Sequence, residues 1–179
     1  MREISLHILD TVQNSITAGA SFIQIDVTEN ERTDLLSFTV SDNGKGMSGE
    51  MVKKAHDPFV TERKTRKVGL GIPLTKQACE MSGGCFLISS RQGEGTVVKA
   101  VFGYSSIDRR PLGDMANTVY QLIISNDKID FLYRHAVNAK EFIADTREIR
   151  KILNGISVKE REISAWLLEF LKDGENLLR

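Results

Sequence analysis

Ser41-Asp42-Asn43-Gly44-Lys45-Gly46-Met47 is the stretch that decides the architecture, because it sets one carboxylate and two glycines where an alternating apolar segment ends. Leu36, Phe38 and Val40 alternate with Ser37, Thr39 and Ser41, the period of a half-buried strand, so Asp42 arrives at a strand end as a fixed hydrogen-bond acceptor. Gly44 and Gly46 lack a Cβ, which lets the backbone turn sharply and lie against something flat. The same residues suit a plain hairpin turn, since Asp-Asn-Gly is good turn sequence, and the choice between the two rests on the rest of the chain.

Composition sets outer bounds. The chain has 179 residues, enough for one domain with a substantial extension and a proper core. Its 24 lysines and arginines balance 24 aspartates and glutamates, so no global field draws it to nucleic acid or to an anionic membrane, and a partner has to be recognised locally. Cys79 and Cys85 fit neither a metal site nor a disulfide framework and read as buried thiols in a reducing compartment. With no signal-peptide pattern and no apolar run of membrane length, the expected location is the cytoplasm.

Ahead of the central stretch, Ile4, Ile8, Leu9, Val12 and Ile16 recur at helical spacing, while Glu3, His7, Asp10, Asn14 and Thr17 form a polar stripe. Asp10 and Asn14, four apart, point the same way and offer a carboxylate and a neutral amide oxygen, a pair suited to a hard cation and to an activated water or hydroxyl. A solvated helix face explains the same stripe. Phe22 to Val27 then alternates as a strand and pairs with the one ending at Asp42. Met51 to His56 reads as a short helix stopped by Asp57-Pro58. After Phe59-Val60-Thr61, Arg63, Lys64, Arg66 and Lys67 crowd a loop before Gly69-Leu70-Gly71, which opens a helix running through Ile72-Pro73-Leu74 to about Met81. A glycine-rich helix entry turns backbone N–H groups and a positive dipole end outward, a cradle for anionic phosphate, and gives the basic loop a target. Phe86 to Ser90 and Thr96 to Phe102 form a second hairpin that returns at Gly95-Thr96.

These segments, in this order, resemble the ATP-binding domain of the GHKL superfamily, which includes gyrase, the ninety-kilodalton chaperone, histidine kinases and the mismatch-repair ATPase. Residues 9–20 look like its N box, residues 42–47 its first glycine box, residues 69–72 its second, and Gly95-Thr96 its third. The resemblance implies an α/β two-layer sandwich, a mixed sheet covered on one face by helices, over residues 1–104. It implies ATP and magnesium as ligands: Asp42 on the adenine amino group, Asn14 on magnesium, and Gly69, Leu70 and Gly71 against phosphate. Gly44, Gly46, Met47, Lys67 and Thr96 complete the expected nucleotide site, and Asp10 stands where the gyrase, chaperone and mismatch-repair branches carry a glutamate as general base. Aspartate is one methylene shorter, so its reach toward a water or hydroxyl changes. The lid between Phe59 and Gly69 is short, closer to that of the anti-sigma-factor serine kinases than to those of the clamp-type ATPases.

Residues 105–179 lie outside the resemblance and read as a mainly helical extension. Residues 107–114 form a connection; Met115, Val119, Leu122 and Ile123 space as a helix; residues 129–146 read as a hairpin. Thr146 is positioned to cap a helix ending at Asn154-Gly155. Ser157-Val158-Lys159-Glu160 has the form of a capping box, ahead of a stripe of Ile163, Trp166, Leu167, Phe170 and Leu171 that packs on the chain's own core or docks a partner.

Two functions follow from the resemblance. One is a histidine kinase-like protein kinase that phosphorylates another protein, supported by the short lid and the kinase-like Gly69-Leu70-Gly71-Ile72-Pro73-Leu74; against it, only a few residues precede the N box, where a usual histidine kinase carries its acceptor hairpin. The other is an ATP-dependent switch with slow hydrolysis that reports to a protein partner through the C-terminal region. A role in DNA topology or repair lacks a transducer domain and a positive surface.

Overall fold

A computed structural model describes residues 2–54 and 71–179. The alternation read from the sequence appears as two antiparallel hairpins, β1 (Phe22–Asn30) with β2 (Leu35–Asp42) and β3 (Cys85–Arg91) with β4 (Gly95–Gly103). β2 also pairs with β4 in antiparallel register, Asp42 opposite Thr96. Beyond the second hairpin, β5 (Asp130–Val137) lies parallel to β1, Phe22 opposite Asp130, and β6 (Lys140–Asp145) closes the edge. The result is one mixed six-stranded sheet in the order β3-β4-β2-β1-β5-β6.

One face of that sheet is buried. Ile23, Ile25 and Val27 of β1, Leu36, Phe38 and Val40 of β2, and Phe131 and Tyr133 of β5 point into it, and each is no more than 1 % exposed. Their alternate neighbours, such as Gln24, Asp26, Ser37 and Thr39, lie on the opposite face. The buried face is covered by α1 (Ile4–Thr17), which turns in Ile4, Ile8 and Val12, by α3 (Gly71–Met81), and by the C-terminal helices α4 (Met115–Ser125) and α6 (Arg161–Leu177). Two shorter helices, α2 (Gly49–Lys54) and α5 (Thr146–Leu153), complete the described elements. Met115, Val119, Leu122, Leu167 and Leu171 join the same apolar cluster as the residues of α1 and β1. Residues 105–179 therefore contribute both strands and helices to the sheet and core that begin in residues 4–103.

Four local expectations are corrected. Leu9, counted on the apolar side of α1, is 37 % exposed, because the buried stripe runs instead through Ile4, Ile8, Thr11, Val12 and Ser15. Cys85 is exposed: it opens β3 on the same side as Leu87 and Ser89, away from the core, while Cys79 on α3 is buried. Asp145, not Thr146, caps α5, its carboxylate accepting from Arg147 N at 2.9 Å. Thr146 is instead buried, and its hydroxyl accepts from Phe131 N at 2.8 Å, tying the helix start to β5. Ser157 does not form a capping box, because α6 begins only at Arg161 and Ser157 Oγ accepts from Lys159 N within the preceding turn. The apolar stripe of α6 does face the core at Leu167 and Leu171, whereas Trp166 is 42 % exposed and stacks on Phe170 at 5.5 Å.

Candidate functional site

Asp42 is the last residue of β2, where the ladder to β1 and β4 fixes its backbone. Its carboxylate is fixed as well: Oδ2 accepts from Ser15 Oγ at 2.6 Å and Oδ1 accepts from Gly44 N at 2.9 Å. A carboxylate oxygen has two acceptor positions, so these bonds orient the group and leave capacity for a ligand donor. Behind it, Lys45 N donates to Ala18 O at 2.9 Å, which draws the glycine loop onto the end of α1. A Cβ at Gly44 would sit 2.9 Å from the Ala18 methyl and 3.0 Å from Asp42 Oδ1, and one at Gly46, where φ is +62°, would overlap the Arg91 carbonyl. Only glycine fits either place.

The loop's far side is held by Ser90. Its hydroxyl accepts from Met47 N at 2.8 Å, donates to Gly95 O at 2.8 Å, and lies 2.9 Å from Thr96 Oγ1. One side chain thus joins the residues expected of the first and third glycine boxes. Asn43 locks the opposite flank, its Oδ1 accepting from the N–H groups of Ser21 and Phe22.

Five residues before Ser15 on α1, Asp10 reaches Gly71 of α3. A Cβ built on Gly71 would overlap the Asp10 carboxylate, so the two are in direct contact. Asn14 follows Asp10 by one turn and is half-buried. Asp10 and Gly71 are thus brought together, and Asp42, Gly44, Gly46, Met47 and Thr96 gather at the strand ends beside the end of α1, the helix that also carries Asn14. Lys67, Gly69 and Leu70, with the basic run and His56, lie outside the described residues. A cleft of about 700 Å³ bordered by Glu29, Tyr104, Arg109, Lys140 and Arg179 lies at the opposite end of β1 and takes in none of these residues.

Residues 2–105 match the model of the histidine kinase-, DNA gyrase B- and HSP90-like ATPases. The chain belongs to this ATPase family. An NtrY-like sensor histidine kinase of Rickettsia conorii is 29 % identical over 108 residues, which cover 60 % of this chain and 18 % of the kinase. The histidine protein kinase DivJ of Caulobacter vibrioides is 30 % identical over 101 residues, 54 % of this chain and 17 % of the kinase. The chain thus spans less than a fifth of the length of these kinases. Among solved structures, the N-terminal domain of a DNA repair protein superposes with a TM-score of 0.55 at 15 % identity, covering 80 % of this chain and 52 % of that one, a likeness of fold. No helix among the described residues is long and apolar enough to cross a membrane.

Within this ATPase domain, two supporting residues were not legible as such in the sequence. Ser15 and Ser90 contribute hydroxyls whose partners, Asp42 and Met47, are 27 and 43 residues away. The signal for Ser15 was its place among the apolar positions of α1, since a buried hydroxyl needs a partner. His7 is a correction: it was placed on the polar stripe, yet it is 2 % exposed, and its Nδ1 lies 2.8 Å from Thr75 Oγ1. The stripe faces α3 at that point. Burial, with Arg110 nearby, pushes the His7 imidazole down to about 4, so it is neutral near pH 7.

Proposed function

We propose that this chain binds Mg-ATP and transfers the γ-phosphate to a separate protein. The observation that supports it best is the division of labour along α1, with a fixed carboxylate acceptor at Asp42, bonded to Ser15, and with Asp10 against Gly71 of α3. Asp42 suits an exocyclic amino donor such as that of adenine, and Gly44, where a Cβ would meet Ala18 and the Asp42 carboxylate, lets the loop close tightly behind that acceptor. A glycine-rich helix entry such as Gly69-Leu70-Gly71 would favour phosphate. Asn14 would hold magnesium, which supplies charge neutralisation to the phosphates when bound. Asp10 would accept the proton of an attacking hydroxyl.

Transfer to another chain is favoured by the state of the described histidines. His7 is buried against Thr75, and His135 is 1 % exposed and bonded through both ring nitrogens, to Glu175 at 2.9 Å and Glu29 at 3.2 Å. Neither ring is presented for in-line attack. The similarity to sensor kinases agrees with a kinase. A second reading, a switch with slow hydrolysis, is supported by the bonds from the start of α1 to the C-terminal connection, Ile4 N to Pro111 O at 2.9 Å and Ser5 N to Leu112 O at 2.8 Å.

The purified chain should be incubated with γ-labelled Mg-ATP, alone and with extract of its source cells. Label appearing on a second protein supports the kinase, and free phosphate alone supports the switch. Acid-labile label retained on this chain would overturn transfer in trans, and absence of any nucleotide binding would overturn both.

A further inference from the structure

His7 and Thr75 join α1 to α3 in a place where two apolar side chains would have filled the same space. Each is 2 % exposed. Thr75 Oγ1 donates to Gly71 O at 2.9 Å, so its one hydroxyl proton is used there, and the 2.8 Å contact with His7 is made by Nδ1–H donating to Thr75 Oγ1. The imidazole is thereby the Nδ1–H tautomer, and its low pKa keeps it neutral. One turn further along α1, the Asp10 carboxylate lies against the α-carbon of Gly71. A single turn of α1 thus grips a single residue of α3 twice, on its carbonyl through the His7–Thr75 chain and on its α-carbon through Asp10. Burying two polar side chains costs free energy that a leucine–valine pair would avoid, so packing alone does not account for them.

We propose that His7 is a positioning residue for the nucleotide site, setting through Thr75 where the entry of α3 stands relative to Asp10. This rests on the reading of the site as one for ATP. In that reading Gly71, against Asp10, borders the phosphate end, and Asp42, bonded to Ser15 five residues further along α1, borders the base end. Releasing the His7–Thr75 chain then shifts the phosphate end and leaves the base end as it was, because Asp42 is held by Ser15 and Gly44 and not by α3.

The test compares the affinities of the full chain for Mg-ATP and for adenosine. Thr75→Val removes the hydroxyl with little change of shape, and His7→Leu removes the donor; each is expected to weaken Mg-ATP binding about 5- to 20-fold while adenosine binding stays within about twofold. Thr75→Ser and His7→Asn, which restore a hydroxyl and a donor near the Nδ1 position, should recover most of the loss. An unchanged ratio of the two affinities in Thr75→Val and His7→Leu, or an equal loss for both ligands, overturns the proposal. Should those variants not fold, nitrogen NMR of the wild-type imidazole decides: protonation at Nδ1 supports the chain of bonds, and protonation at Nε2 overturns it. A wild-type protein that binds neither ligand overturns the ATP reading instead, and the tautomer still reports on the clasp.

Discussion

At the scale of single residues, Asp42 is oriented in advance of the ligand proposed for it. Both oxygens are oriented by protein donors, Ser15 Oγ and Gly44 N, so a ligand amino group meets an acceptor that is already fixed. Asp42→Asn replaces one acceptor by a donor without changing shape. Mg-ATP affinity should fall by about 10- to 150-fold, the equivalent of a charged hydrogen bond worth about 1.5–3 kcal/mol, and calorimetry returning wild-type affinity would remove Asp42 from the base end. Asp10→Asn should behave differently. It keeps size and polarity but cannot take a proton, so turnover should drop by about 10²- to 10⁴-fold with ATP affinity within a few-fold, as single-turnover and binding measurements on the same preparation would reveal. Normal turnover in that variant would leave Asp10 with only its packing role against Gly71. Asp42, Gly44 and Gly46 were legible because the alternation of β2 stops at Asp42 and the glycines follow at once. His7 was not, since helical spacing cannot distinguish a polar side chain facing water from one facing another helix.

At the scale of elements, β1, β5 and α6 meet at His135. Burial opposes a charge there, but hydrogen bonds from the ring to Glu175 and Glu29 outweigh it and raise the imidazole to about 9, while the same bond holds Glu29 below the usual carboxylate range. Tyr133 OH also donates to Glu175, at 2.6 Å, and Arg109 and Arg179 lie near Glu29. Because the folded value lies above the unfolded one, the stabilisation is fully present below about pH 6.5 and is lost as pH rises through about 9. A rise from 6.5 to about 9 corresponds to about 3 kcal/mol. Urea unfolding at pH 6.5 and pH 9 should register a loss of that order, and Glu175→Gln should flatten the difference; equal stability at both values in the wild type would mean that His135 is neutral. Local pattern was enough to find the hairpin that carries His135, through the alternation at Ile129, Phe131 and Tyr133. It was not enough to find its partners, which come from a strand and a helix 106 and 40 residues away. The same limit applies to the parallel pairing of β5 with β1. Strand order depends on which faces are buried together, and no short window of sequence contains it.

At the scale of the whole molecule, the family match ends at residue 105, but the sheet does not end there. β5 and β6 continue it past β1, and Met115, Val119, Leu122, Phe131 and Tyr133 share one apolar cluster with Ile8, Val12, Ile23 and Ile25. We expect residues 1–104 alone to lack a cooperative thermal transition and to bind a hydrophobic dye, because β1 would present an unpaired edge and its core would lose one wall. A sharp transition in that fragment would establish that the ATPase part folds by itself. The position of β1 also has a consequence in time. Phe22 pairs with Asp130, and Glu29 with Val137, so β1 leaves the ribosome roughly a hundred residues before its parallel neighbour. At about 5–20 residues per second, one side of the sheet's interior stays open for about 5–20 s during synthesis. β2, β3 and β4 are made within that interval and assemble on the other side first, as the shorter loops between them favour. The nascent chain therefore carries the Asp42–Met47 loop on a sheet with an open flank, and the sheet's completion waits for a strand encoded far downstream.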